Sequence, residues 1–201
     1  MYQSVNVKIK GVAPVMFHNP QLANPLNSFT QGIKKISAKR NKTEEDFKEM
    51  SRLEFLGGLY VDDKGKVIVP AEMLEASLLS GAKKKRRGAK FKAAVLVPES
   101  ARLIYDGPKN IEKLGRDSQF VDIRNVTIQR NTIMRTRPVF KTWQAEFMIM
   151  FDSTLVNKNE VEEALNDAGQ QCGIGDYRPR YGRFMVESFD VLGPANEAVT
   201  V

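Results

Sequence analysis

Val5, Val7 and Ile9 alternate with polar residues in "YQSVNVKIKG", and this period of two predicts a strand with one buried face, ending near Gly11 and Pro14. The same period predicts strands over "TWQAEFMIMFD", with Met148 and Met150 read as core residues, and over "RFMVESFDVLG". Shorter apolar runs, "FKAAVLVP" and "ARLIYDG", predict two strands about a Pro-Glu-Ser turn, while "LYVDDKGKVIVP" predicts a hairpin about Asp-Lys-Gly. A helical period replaces alternation in three places. In "KTEEDFKEMSRLEFLGG" Thr43 caps the start, acids fill the first turn, Phe47, Met50 and Leu53 share a face, and Gly57-Gly58 ends the helix. "AEMLEASLLSGAKKKRRG" starts after Pro70, carries Met73, Leu74, Leu78 and Ala82 on one stripe, and is followed by Gly88. "NKNEVEEALNDAG" is capped by Asn157 or Asn159 and stopped by Gly169.

Two stretches break the pattern. From Pro14 to about residue 42 the chain offers turn signals only, which predicts an insertion or a mobile loop. Residues 106–141 are mixed, with strand-like alternation at Val121, Ile123, Val126 and Ile128. Without these stretches the order is strand, helix, strand, then strand, helix, strand. That order predicts an α+β, ferredoxin-like (split βαβ, RRM-like) fold, an antiparallel sheet with two helices on one face and large insertions. The expected organisation is one domain over residues 1–193, insertions at about 13–60 and 106–141, and a loose tail over 194–201.

Composition narrows the function. The chain has 201 residues, 42% of them hydrophobic, enough for a folded core. Lysine and arginine number 31 against 24 acids, a formal charge of +7, which favours an anionic partner. One cysteine, Cys172, excludes an internal disulfide and reads as a packing residue, and one histidine, His18, leaves little for a transition-metal site. No metal or other cofactor is therefore expected. No apolar run has signal-peptide or membrane-span length, so the expected setting is the reducing cytoplasm, away from membrane.

The densest chemistry lies in "CGIGDYRPRYGRF", between the last helix and the last strand. Gly173 and Gly175 permit positive φ and close approach of a ligand to the backbone. The N–H groups of such a loop can form an anion-binding concavity, and Arg178, Arg180 and Arg183 supply forked donors that match phosphate. Tyr177 and Tyr181 offer faces on which unpaired bases can stack. The plain alternative is a tight connection whose arginines sit in solvent. A dinucleotide fingerprint is excluded, because this loop follows a helix and leads into a strand.

Lys83, Lys84, Lys85, Arg86 and Arg87 form a second cationic element, longer than a helix dipole requires, and predict contacts to a phosphate backbone or, more plainly, a solvated helix end. "RNTIMRTRPVFKTW" brings Arg130, Arg135, Arg137 and Lys141 near Phe140 and Trp143. Arg135 and Arg137, two residues apart, share one face of a strand, and Trp143 reads as core. His18, in "VMFHNP", is the one candidate general base, but no Ser, Cys or acid accompanies it at a telling spacing, and it reads first as a loop residue. Asp62-Asp63 sits in a turn, and Asp176 is placed to orient Arg178 or Arg180.

Taken together these segments resemble the RAMP superfamily of CRISPR-associated proteins. "GIGDYRPRYGRF" is similar to its glycine-rich loop, with Gly173, Gly175, Gly182 and Arg183 as matching positions, and "GKVIVPAEMLEASLLSGAKKKRRG" resembles its strand–proline–helix segment. The two irregular stretches fall where backbone subunits of CRISPR effector complexes carry insertions. The chain departs from that pattern in fitting only one ferredoxin-like unit and in carrying Asp176 within the loop. More loosely it resembles small bacteriophage-encoded proteins, which implies the cytoplasm of a prokaryotic cell, phage-infected or not. The expectation is a non-catalytic protein that binds single-stranded nucleic acid, RNA favoured over DNA, as a homo-oligomer or a filament along the strand. Two rivals stand beside it: a metal-independent endoribonuclease with His18 as base, and a phage-encoded inhibitor or decoy that binds a host protein complex.

Overall fold

The computed structural model describes residues 1–128 and 131–194. The expected tail beyond Pro194 and Arg130 lie outside the described residues. The first half of the chain runs β1 (Tyr2–Gly11), β2 (Val15–Met16), a 3-10 turn (Pro20–Ala23), α1 (Ser28–Ser37), α2 (Glu44–Gly58), β3 (Ile68–Val69), α3 (Ala71–Lys84) and α4 (Gly88–Ala94). Then follow β4 (Val95–Leu96), β5 (Ala101–Ile104), α5 (Ile111–Leu114), β6 (Val121–Ile128), β7 (Asn131–Phe140), β8 (Gln144–Asp152), α6 (Lys158–Asp167), a π-helical turn (Ala168–Cys172) and β9 (Phe184–Pro194). The class is α+β with antiparallel sheets. Among the described residues no helix is long and apolar enough to cross a membrane.

The residues divide into two compact units. Among the described residues the first comprises Met1–Val15, Ile68–Asp106 and the chain from Lys141 to Pro194. Its sheet has the order β3-β5-β8-β1-β9, with β4 also pairing β8, and β1 lies antiparallel to both β8 and β9. Alternation sorts the side chains: Val5, Val7 and Ile9 of β1 and Ala145, Phe147, Ile149 and Phe151 of β8 are buried. Each large apolar side chain so buried contributes about 1.5–3 kcal/mol. The helix α3 buries Leu74, Ser77, Leu78, Gly81 and Ala82, and α6 buries Val161, Ala164 and Leu165. Gly81 lets these helices approach closely, since a Cβ there would stand 2.0 Å from the Ala164 carbonyl oxygen. Trp143 is buried, donates from Nε1 to the Ala13 carbonyl at 2.9 Å, and packs edge-on against Phe184. No side chain fits at Gly11, where a Cβ would come within 2.2 Å of that indole nitrogen.

The second unit comprises Met16–Val67 and Gly107–Phe140. Its sheet has the order β2-β7-β6, and β6 pairs β7 from Val121↔Pro138 to Ile128↔Asn131. Phe17, Phe120 and Phe140 form an aromatic cluster, with Tyr60 set edge-on to Phe17. A capping box closes the start of α2: Thr43 Oγ accepts from Asp46 N–H and the Asp46 carboxylate accepts from Thr43 N–H.

Several sequence expectations are corrected. The stretch from Pro14 to residue 42, expected as an insertion or a mobile loop with turn signals only, carries regular structure: Asn27 caps α1 through its side chain and Asn19 caps the 3-10 turn. Phe47 is 57% exposed; α2 buries its C-terminal end, Glu54 to Gly58, not the face predicted. The first half of "FKAAVLVP" is the end of the helix α4, in which Phe91 and Ala94 are buried three residues apart, and only Val95–Leu96 is strand. Met148 and Met150 are half-buried, on the face of β8 opposite the core residues. Gly88 opens α4 and does not follow α3 as a stop, and Gly169 lies buried within the π-helical turn.

Candidate nucleic-acid interface

The first unit positions the glycine-arginine loop by its two ends. At one end Gly173 has φ +72°, donates to Ala168 O at 2.7 Å, and its carbonyl accepts from the buried Ser77 Oγ of α3 at 2.9 Å. At the other, Gly182 has φ +72°, its N–H donates to Pro14 O at 2.7 Å and its carbonyl accepts from Ile174 N–H at 3.0 Å. A Cβ at Gly182 would stand 1.8 Å from Ile174 O, and one at Gly173 2.7 Å from Tyr181 O. These two glycines therefore serve the closure of the loop upon itself, as the plain reading of the sequence expects. Ser77 does not stand out in the sequence as a loop anchor. The signal it offers is a spacing of four from Gly81, which sets two small residues on one helix face.

Between these anchors the loop opens outward. Tyr177, Arg178 and Arg180 are exposed, and the Tyr177 and Tyr181 rings meet edge to face at 6.2 Å. Asp176 accepts the Tyr177 N–H at 2.9 Å, and Arg183 Nε donates to Pro179 O at 2.7 Å, so Arg183 braces the loop. Arg178 and Arg180 have no acidic partner among the described residues. Gly175, at φ +78°, lines an open depression of about 640 Å³ together with Ser80 and Lys84 of α3, Tyr177 and Arg178. The loop and the cationic end of α3 thus share one surface.

That end of α3 is divided by function. Lys85 and Arg87 both engage Glu163 of α6, the second at 2.6 Å, and Arg87 with Lys90 also faces Glu160. These contacts hold the Glu163 carboxyl below the ordinary glutamate range, through Lys85 first and then Arg87. Glu160 is lowered as well, first by the Asn157 N–H and then by Lys90 and Arg87. Lys83, Lys84 and Arg86 are exposed and enter no ion pair among the described residues. Arg86 takes φ +60°, with Arg87 N–H bonded to Ala82 O and Arg86 N–H to Lys83 O. This is a Schellman close in which arginine occupies the position that glycine usually fills. Among the described residues Arg86 and Tyr177 are the two non-glycine residues with positive φ, and they fall one in each cationic segment.

The remaining candidates belong to the second unit. Arg135 pairs with Glu54, whose other oxygen accepts Thr136 N–H at 2.8 Å, and Arg137 is 9% exposed. Both arginines line a cavity of about 560 Å³ that His18 and Lys34 also line. His18, far from Arg135 and Arg137 along the chain, is therefore their neighbour in the fold. Asp62 spends its carboxylate on the N–H groups of Lys64 and Lys66, closing the turn. No protein-family model matches the chain, and no curated protein matches it in sequence.

Proposed function

We propose that the chain is a non-catalytic protein that binds single-stranded nucleic acid, RNA ahead of DNA, on the surface formed by the 173–183 loop and the end of α3. The observation that carries this reading is the depression in which Gly175, Tyr177 and Arg178 meet Lys84. A strand laid across it meets Lys84, Arg178 and an exposed ring at Tyr177, while Lys83, Arg86 and Arg180, exposed and not spent on acids, stand in the same two segments. Phosphate contacts supply affinity and the ring supplies a sequence-tolerant stacking face. Holding bulky residues at positive φ costs about 1–3 kcal/mol each, and such strain gathers at binding sites.

The first unit also supports a ferredoxin-like reading: the order β5-β8-β1-β9, all antiparallel, with α3 before β5 and α6 before β9, is that of a split βαβ. A glycine-rich loop between α6 and β9 then supports the relationship to RAMP proteins, from which the preference for RNA follows. Assembly of several copies along a strand belongs to the same proposal, with β9 as an edge strand that offers unpaired backbone groups.

Fluorescence anisotropy with single-stranded RNA, single-stranded DNA and duplex of equal length, each across a salt series, tests the reading. Tighter binding to single strands, weakening as salt rises, is expected. Equal or stronger binding to duplex would overturn it.

A further inference from the structure

We infer that the cavity of the second unit is a nucleotide-sized site that takes a phosphomonoester joined to a planar ring, of the class of a nucleoside monophosphate. Its lining is polarised in composition. Lys34, Arg135 and Arg137 bring three cations against one carboxylate, Glu54, and that carboxylate is buried and already accepts from Arg135 and the Thr136 N–H. Leu22, Ile33 and Val126 supply apolar wall. A volume of about 560 Å³ lies within the range in which pockets enclose a small ligand.

The charge balance selects an anion. Lys34, Arg135 and Arg137 outnumber Glu54 along the lining, and a lining with surplus positive charge favours a ligand that carries negative charge in with it. Arg135 and Arg137 both line the cavity, and forked guanidinium donors match the oxygens of a phosphate. The aliphatic wall has no use in binding inorganic phosphate, but it does offer a surface for a ribose and base. His18 also lines the cavity, within reach of the class of ligand proposed as a neutral or cationic donor. Such a ligand reaches the site either as a free nucleotide or as the phosphorylated end of a strand. The inference does not depend on the loop surface of the first unit.

Isothermal titration calorimetry with AMP, adenosine and inorganic phosphate as separate probes tests it. AMP is expected to bind with Kd below about 1 mM, and each half-molecule at least about tenfold more weakly. Lys34 is exposed, so Lys34→Glu is expected to fold and to weaken AMP at least about tenfold, whereas Arg178→Ala with Arg180→Ala leaves AMP affinity unchanged. A strand bearing a 5′-phosphate that competes with AMP, where its 5′-hydroxyl counterpart does not, identifies the strand end as a source; competition by neither leaves the free nucleotide. Absence of AMP binding would overturn the inference, as would AMP affinity indifferent to Lys34→Glu or lost in the loop variant. Phosphate binding as tight as AMP would overturn the nucleoside part and leave a plain anion site. Loss of oligonucleotide binding in the loop variant with AMP binding retained keeps the two sites separate.

Discussion

Arg86 and Gly182 show how one backbone conformation serves opposite ends. Both have positive φ, but a Cβ at Gly182 collides with the Ile174 backbone, while Arg86 keeps an exposed side chain there at a cost. Gly182→Ala is expected to lower stability by at least about 1–3 kcal/mol in urea denaturation, because both strain and backbone overlap oppose it. Arg86→Gly is expected to do the reverse. Removing the left-handed strain of about 1–2 kcal/mol outweighs the added freedom of the unfolded chain, so stability rises by up to about 1 kcal/mol while single-strand affinity falls. An Arg86→Gly protein that is stabilised and binds as before would leave the arginine with no role on the surface. Gly175→Val belongs beside these. Its φ of +78° at the open depression predicts a modest stability loss and a larger loss of binding, and Arg180→Ala a loss of binding with Tm unchanged.

The end of α3 and the face of α6 form the clasp that separates structural from available cations. Exchanging Lys83, Lys84 and Arg86 for glutamine is expected to reduce the slope of log Kd against log salt by roughly 0.7 for each phosphate no longer neutralised. Exchanging Lys85 and Arg87 is expected to leave that slope nearly intact and to weaken the clasp on Glu160 and Glu163 instead. Those carboxyls are held below their unfolded value of about 4.3, so their contribution is fully present above that pH and is lost as pH falls through the folded values. The Glu160→Gln, Glu163→Gln protein is therefore expected to be less stable than the parent at pH 7 and to converge with it in acid, as read from urea midpoints. Elements with strong periods were legible in the sequence: β1, β8, β9, and the capped starts of α2 and α6 stand where alternation and Thr43 or Asn157 put them. What escaped is what depends on a partner. Nothing in "AKKKRRG" says which cations an acid across the fold will claim, and an arginine standing where glycine closes a helix cannot be read from a table of helix stops. Likewise α1 is short and its N-cap, Asn27, is an asparagine, a residue that signals turns as readily as helices. The place of the loop between the last helix and the last strand was legible, but the division of its glycines into closing and lining residues needed the backbone.

At the scale of the whole molecule, the chain passes from the first unit into the second and back twice, yet each unit holds its own buried apolar set. Loop closure costs only about 0.6 kcal/mol per doubling of length, so connectivity alone does not force the two to unfold together. Trp143, the one tryptophan, is buried in the first unit against Ala13 and Phe184, and its fluorescence reports that unit alone. Far-ultraviolet circular dichroism reports helices of both. We expect the two probes to give non-coincident urea transitions, the mark of a departure from two-state unfolding. A ligand that binds only the native form stabilises the unit that holds it, by about 2.7 kcal/mol at roughly 100 times Kd. Single-stranded RNA should therefore move the Trp143 transition and leave the other component in place, and AMP should do the opposite. Coincident curves that shift together with either ligand would mean that the units unfold as one body, and the assignment of ligands to units would then rest on the variants alone. RNA that moves only the component invisible to Trp143 would remove the loop and the end of α3 from the binding surface.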